Sequence, residues 1–364
     1  MKRVLPVILA VVLTLAGCTS KIEYMTKTFT GYMDTVISYA TYAQSDDDFA
    51  GQCALVKGKL VYYDALFDIY DDAGMNNVKT INDNAGKKAV RVDDDLYELI
   101  EDAIEYNQTI SSKVNIACGA LTALWHEARE AANDKGVGTV PAESDLKEAA
   151  RHIDIDDIVL DEEKKSVYLK DEDMSLDVGA VAKGFAMEKI KDALTDAGVT
   201  TFLLNGGGNV VAVGERAVAK SGSFSLKACK NNYCVGILSP QDGNYASGNT
   251  YEAMLVTKDK AVVTSGDYER YFTDSDGNRY CHIIDPDTLH PAENMRSVTI
   301  VCADSAKADF LSSALFMMTY EDGLERIESM DDAEAIWLLT DGKIRHSSGL
   351  TDETFAVVDS DREE

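Results

Sequence analysis

The segment from Ala308 to Met318 constrains this chain most, because every position apart from Asp309 and two serines is apolar. A helix of that composition has no polar face and has to be covered all round, so it belongs at the centre of a domain. Asp309 and Ser313 stand four residues apart and share one helical face. A carboxylate buried alone is costly enough that it is normally paired or bound to a metal, and the neighbouring sequence offers few cations. Two readings stay open at this level. Asp309 is either an acid near a helix N-terminus, stabilised by the helix dipole, or it joins the Ser313 hydroxyl, a backbone carbonyl and waters around a hard cation such as Mg2+.

The rest of the pattern supplies the elements that cover this helix. Residues 28–43 alternate loosely and read as an edge strand, while 50–70 and 93–110 carry the spacing of amphipathic helices. Residues 71–88, rich in Asn, Asp and Gly, read as a loop. A helix is expected over 121–132 and is broken by 136–141. A strand over 167–178 leads into a helix whose apolar positions Val181, Phe185, Ile190, Ala193 and Leu194 run until Gly198. Strands over 201–205 and 209–213 flank Gly206–Gly208, and further strands are expected over 224–227, 235–238, 254–258 and 261–264. Residues 268–272 and 279–284 face each other across a hairpin connection at 274–278, followed by a strand over 297–302 and a helix over 305–319. With no internal repeat and no long linker, the expectation is a single α+β domain over residues 28–358. Its sheet should be mixed and mostly antiparallel with flanking helices, and the acidic tail 359–364 should be frayed.

Composition narrows the function. The chain has 364 residues, 35 Lys plus Arg against 63 Asp plus Glu, and a formal net charge of -28. Such a field repels a phosphate backbone, so nucleic acid is excluded as a partner. An anionic ligand has to be held by a local device, a helix N-terminus or a divalent cation. At the N-terminus, Lys2 and Arg3 precede an apolar run from Val4 to Ala16, and Leu15-Ala16-Gly17-Cys18 resembles the cleavage and lipidation box of a bacterial lipoprotein. The run is too short to cross a bilayer as a helix and reads as an export signal. Residues 1–17 are then a signal peptide, 18–27 a tether, and Cys18 the lipid attachment point of a protein on the extracytoplasmic side of a bacterial membrane. Of the remaining cysteines only Cys229 and Cys234 are near enough to close a hairpin by a disulfide, with free thiols the alternative.

Two further segments can carry chemistry. Asp177 to Gly184 brings two glycines and Lys183 to an expected helix start, where free N–H groups suit a phosphate or pyrophosphate; the alternative is a tight turn with a solvated lysine. The stretches Thr264–Tyr268 and Cys281–Pro286 place His282 at a strand end and Asp285 before a proline. A strand histidine is commonly structural, and the isolation of the five histidines argues against a zinc site.

Taken in order, these segments resemble the FAD:protein FMN transferase (ApbE-type) family. The resemblance runs from about Gly31 to Phe355 and rests on Gly31–Thr35, Asn115–Trp125, Asp177–Gly184, Asn205–Asn209, Thr264–Tyr268, His282–Pro286 and Ala308–Ala314. It implies an ApbE-like domain and Mg2+-dependent transfer of the FMN half of FAD to a threonine hydroxyl of an acceptor flavoprotein, with release of AMP. It implies metal ligation by the Ala180 carbonyl, Asp309 and Ser313 with Ser312 close by, and FAD lined by Met33, Tyr70, Asn115, Ile116, Ala117, Asp177, Lys183 and Ile283. His282 is then the group that takes or positions the incoming hydroxyl, with Asp285 orienting it. The acceptors suggested are exported flavoprotein subunits of respiratory complexes such as the Na+-pumping NADH:quinone oxidoreductase and Rnf. Three departures stand out: Cys281 where many members have a second histidine, Ser313 for a commoner threonine, and Leu289 at a usual glycine position, where leucine resists positive φ. The alternatives are an FAD pyrophosphatase giving FMN and AMP, and a non-catalytic flavin-binding lipoprotein.

Overall fold

The computed structural model describes residues 23–216, 232–240 and 251–358. The chain opens with a hairpin of β1 (Glu23–Tyr32) and β2 (Thr35–Ala43). The single strand expected over 28–43 is broken because Gly31, Met33 and Asp34 take φ values of 82°, 51° and 51°, left-handed conformations that reverse the chain tightly. β1 begins inside the stretch expected to be a tether. Next, α1 (Asp46–Phe67) is capped by the Ser45 hydroxyl, which accepts the Asp48 N–H. Within the expected loop 71–88 lies α2 (Val78–Asp83), where Asn77 and Thr80 cap each other reciprocally; an asparagine read as loop-forming is here a helix cap.

β3 (Val90–Arg91), α3 (Asp94–Thr109), α4 (Gly119–Lys135) and α5 (Glu143–Ala149) follow, then β4 (Ile158–Asp161) and β5 (Ser166–Leu169). The strand expected over 167–178 stops at Leu169. Beyond it the backbone pairs with the loop ahead of α4: Gly119 N–H donates to Ser175 O at 2.9 Å and Asp177 N–H to Ile116 O at 2.9 Å. α6 (Ala182–Asp196) then runs to Gly198, whose φ of 84° ends it.

The second half is mostly strand: β6 (Phe202–Gly206), β7 (Asn209–Val213), β8 (Tyr233–Leu238), β9 (Tyr251–Thr257), β10 (Lys260–Gly266), β11 (Tyr271–Thr273), β12 (Arg279–Cys281), β13 (Ile284–Asp285), β14 (His290–Pro291) and β15 (Met295–Cys302). After α7 (Ser305–Met317) and α8 (Tyr320–Glu328) come β16 (Ala333–Leu339), β17 (Ile344–His346) and β18 (Phe355–Val357). An eight-stranded sheet has the order β1-β2-β6-β7-β10-β15-β16-β17, and each neighbouring pair is antiparallel. The α+β expectation holds, with the large sheet antiparallel throughout; parallel pairing is seen in an isolated bridge between Cys118 and Ser175. The strand expected over 224–227, the Cys229 partner of a disulfide, residues 1–17, Cys18 and the tail 359–364 lie outside the described residues. Cys234 is disulfide-bonded.

α7 is the covered helix that its composition demands: every residue from Ala308 to Met317 is buried, with α6, β10 and β15 packed on it. Asp304 caps it by accepting the Ala306 and Lys307 N–H groups. The approach of α6 is close enough to require glycine at 184, since a Cβ there would lie 2.4 Å from both Asp309 Cβ and Ser305 O. Among the described residues no helix is long and apolar enough to cross a membrane.

Candidate active site

The seam between α6 and α7 builds the first half of the site. Asp309 is 3% exposed, and its Oδ2 accepts the Gly184 N–H at 2.7 Å. Its Oδ1 has no hydrogen-bond partner among the described residues. Burial pushes its carboxyl above the usual carboxylate range, against the opposing pull of Lys183 and the Gly184 N–H. Three hydroxyls converge beside it: Ser265 Oγ lies 2.8 Å from Ser312 Oγ and 3.3 Å from Ser313 Oγ, and Ser312 Oγ donates to the Asp309 carbonyl at 2.9 Å. α6 begins without a side-chain cap, so its N-terminal turn is open to an anion. Ala180 is half-buried in that turn.

Lys183 joins this seam to the second half. Its charge acts on Asp309, on Glu269 and on His282, which places one cation from α6 among an acid of α7, the segment after β10 and the residue after β12. His282 is accessible to solvent yet crowded by protein on its flanks, the combination that a cleft produces. Crowding, followed by Lys183, Arg270 and Arg129, pushes its pKa down to about 3, so the ring is neutral at pH 7. Burial raises Glu269 above its ordinary value while Lys183 and Arg270 oppose it. Arg270 also donates to the Asp34 carbonyl at 3.2 Å, which ties the β1–β2 turn to the His282 segment.

The residues expected to line FAD lie in loops and turns, with Lys183 in the first turn of α6. Met33 is held in its left-handed conformation by donating its N–H to Asp64 Oδ1 at 2.6 Å. Tyr70 is 60% exposed, packs its ring on His126 at 5.6 Å and feels the charges of Asp177 and Arg129. Asp177 closes its own turn, accepting from Thr122 Oγ1 at 2.7 Å and Gly179 N–H at 2.9 Å. Asn115 braces its loop by accepting the Ala117 N–H at 2.9 Å and donating to Ile153 O at 2.7 Å. Ile116, Ala117 and Ile283 are buried in the main core, so a ligand meets the loops at these positions through their backbone.

Asp285 is placed differently from its expected role. It is 5% exposed, and its two oxygens accept from Lys113 Nζ at 2.9 and 2.8 Å, with the Asp287 N–H on Oδ1 at 2.9 Å. Its carboxylate is therefore engaged by Lys113 and by its own turn, and hydrogen bonding to His282 is not among its contacts. The reason is register: Asp285 pairs with His290 in the β13–β14 ladder, after the chain has left the β11–β12 hairpin. Leu289 takes φ of 65° despite its Cβ. Its N–H donates to Asp285 O at 2.8 Å, its carbonyl accepts from Trp125 Nε1 at 3.0 Å, and its side chain packs on the Trp125 cluster. Cys281 faces the core, 5% exposed, with burial holding its thiol up at about 11.

Sequence reasoning passed over Ser265, Glu269, Arg270 and Arg129. The signal for Ser265 is present in the Thr264–Tyr268 segment, which carries no individual role because only the packing of α7 on β10 brings Ser265 to Ser312 and Ser313. The surface recess of 420 Å³ lined by Asp145, Glu148, His152 and Asp173 among others contains none of the expected site residues.

Comparison with known proteins places the chain in a family. The chain is 34% identical over 279 residues to the FAD:protein FMN transferase of Treponema pallidum, spanning 75% of this chain and 73% of that protein. It is 31% identical over 274 residues to the enzyme of the same name from Klebsiella pneumoniae, spanning 75% and 78%. The crystal structure of the ApbE protein from Thermotoga maritima superposes with a TM-score of 0.76 at 26% identity, covering 90% of this chain and 98% of that one. Residues 33–337 match the ApbE family, and the chain belongs to that family.

Proposed function

We propose that this protein transfers the FMN half of FAD to a threonine hydroxyl of an acceptor flavoprotein, releasing AMP, at the cleft between the α6–α7 seam and His282. The observation that carries the reading is the buried Asp309 with a free Oδ1, set beside three hydroxyls and the open N-terminus of α6. The donors that would hold a cation, Asp309, Ser313, Ser312 and the Ala180 carbonyl, are all oxygen, which suits Mg2+. When bound, the ion would neutralise diphosphate charge and polarise the phosphorus under attack.

The chain's own residues then have distinct tasks. Lys183 and the first turn of α6 bind the diphosphate, compensating its charge within a protein of net charge -28. Met33, Tyr70, Asn115–Ala117, Asp177 and Ile283 seat the flavin nucleotide. His282 holds a neutral ring toward the acceptor hydroxyl. Arrival of the diphosphate offsets the three cations that depress its pKa, so the imidazole becomes a better proton acceptor when substrate is in place. The threonine oxygen forms a bond to the FMN phosphorus, the bond from that phosphorus to the bridging oxygen breaks, and AMP departs with that oxygen. Export on a lipid carried by Cys18 would place the site on the extracytoplasmic face, where exported subunits of respiratory electron-transfer complexes are the acceptors.

The test incubates the protein with FAD, Mg2+ and an acceptor domain and follows covalent flavin fluorescence and AMP. Labelled acceptor supports transfer; FMN and AMP without labelling would replace it by pyrophosphatase action, and unchanged FAD by binding alone. Labelling of full-length protein expressed in bacteria with palmitate, abolished by Cys18→Ala, tests the anchor.

A further inference from the structure

We infer that Lys113 is a positioning residue: it clamps the hairpin that follows His282 to the loop that seats the flavin nucleotide, and so sets where the His282 ring stands. The inference rests on the transfer reading above.

Lys113 belongs to the loop between α3 and α4 that continues into Asn115–Ala117. That loop is itself rigid, since Asn107 Nδ2 donates to Val114 O at 2.9 Å and to Ser112 O at 3.3 Å. From it the ammonium reaches 172 residues along the chain to Asp285, contacting Oδ1 at 2.9 Å and Oδ2 at 2.8 Å, and also Asp287 Oδ2 at 2.7 Å. A lysine has three N–H donors, and three carboxylate oxygens surround this one. Burial alone would lower the Lys113 pKa, but its hydrogen bonds to Asp285 and Asp287 hold it above its ordinary value.

The ladder of the segment being clamped is short. β13 and β14 contribute two residues each, too short a ladder to be stable alone, and the connection between them contains the strained Leu289. Asp285 follows His282 by three residues, and Ile283 between them is pinned by accepting the Ala292 N–H at 2.9 Å. Because that bond joins the residue after His282 to the far side of the hairpin, displacement of the hairpin displaces His282 with it. Lys113 is placed to couple the flavin seat to the proton-accepting ring through the backbone, its ammonium being engaged by Asp285 and Asp287.

Lys113→Met alone would leave Asp285 buried without its cation, so the clamp is removed as the pair Lys113→Met/Asp285→Asn, with Lys113→Arg as the conservative variant. Three quantities are read: FAD affinity by flavin fluorescence, the FMN transfer rate, and the His282 imidazole resonance, assigned by its loss in His282→Ala. We expect FAD affinity within about threefold, a transfer rate lower by roughly 30-fold and a displaced His282 resonance, the loss reflecting misplacement of a reacting group. Lys113→Arg should keep at least roughly a third of the rate, because it retains the charge. In the His282→Ala background the pair should cost less than about threefold more, since residues acting through one another are non-additive. Full additivity, an unmoved His282 resonance, or FAD affinity falling in step with rate would overturn the clamp. Absence of transfer by the unsubstituted protein would instead refute the transfer reading, and the His282 resonance would still decide on the clamp.

Discussion

Asp309 and Asp285 are both buried acids, 3% and 5% exposed, yet their surroundings are opposite. Asp285 has a lysine across both oxygens and a backbone N–H besides. Asp309 receives one N–H from another element on one oxygen, and the cation that acts on it, Lys183, does so without a hydrogen bond. A buried charge left so poorly compensated costs folding free energy, whereas the Asp285 pair resembles the compensated ion pairs that proteins retain in their interiors. On the reading proposed above, the difference separates a group whose partner arrives with the ligand from a group whose partner is part of the fold.

Substitutions can break or sharpen that contrast. The largest effect is expected for Asp309→Asn: transfer should fall by about 10³-fold or more, as loss of a Lewis-acid site implies, while the melting temperature in the absence of Mg2+ holds or rises because an uncompensated charge is gone. Activity within tenfold of the parent, followed by AMP release, would erase the contrast. Asp285→Ala should instead lower stability by about 3 kcal/mol, through lost charged hydrogen bonds, read as a shift in urea midpoint; a shift under about 1 kcal/mol would show that the pair is not structural. Gly184→Ala attacks the Asp309 side by displacement alone. Its Cβ meets Asp309 Cβ and Ser305 O, so a loss of about 2 kcal/mol is expected from overpacking, along with weaker Mg2+-dependent FAD binding measured by calorimetry.

The smallest effect concerns a third acid, Asp102, half-buried and surrounded by Glu98, Asp304, Glu105 and Glu101. Burial, then those charges, raise its pKa from 3.8 to about 6. The fold thus favours the protonated form, and its contribution is fully present below pH 3.8 and lost as pH rises through 6. Asp102→Asn should therefore stabilise the protein by about 1 kcal/mol at pH 7.5, after allowance for solvent screening, and by nothing below pH 4. Equal gains at both pH values in chemical denaturation would show that charge is not the cause.

Much of this molecule is legible in the chain. The covered helix at 308–318, the strands over 201–205 and 209–213 flanking Gly206–Gly208, and the hairpin across 274–278 follow from local pattern. What misled the reading was also local. Asn77 reads as a loop residue by its neighbourhood but forms a reciprocal cap with Thr80, and Met174, Leu176 and Val178 alternate as in a strand where the backbone pairs with another loop. In the site, Asp309, Ser313 and Lys183 announce themselves by chemistry and spacing. Ser265, Arg270 and Arg129 do not, because a surface arginine or a strand serine has no signature in its own neighbourhood.

The sequence by itself determined that this chain buries a helix on all sides with a carboxylate inside it, because hydrophobic periodicity is a local property that every fold of the chain must satisfy. Only the tertiary structure decided which of its buried acids is compensated. Asp285 finds Lys113 across 172 residues and Asp309 finds one backbone N–H and the longer-range charge of Lys183, a distinction set by which elements the sheet brings together.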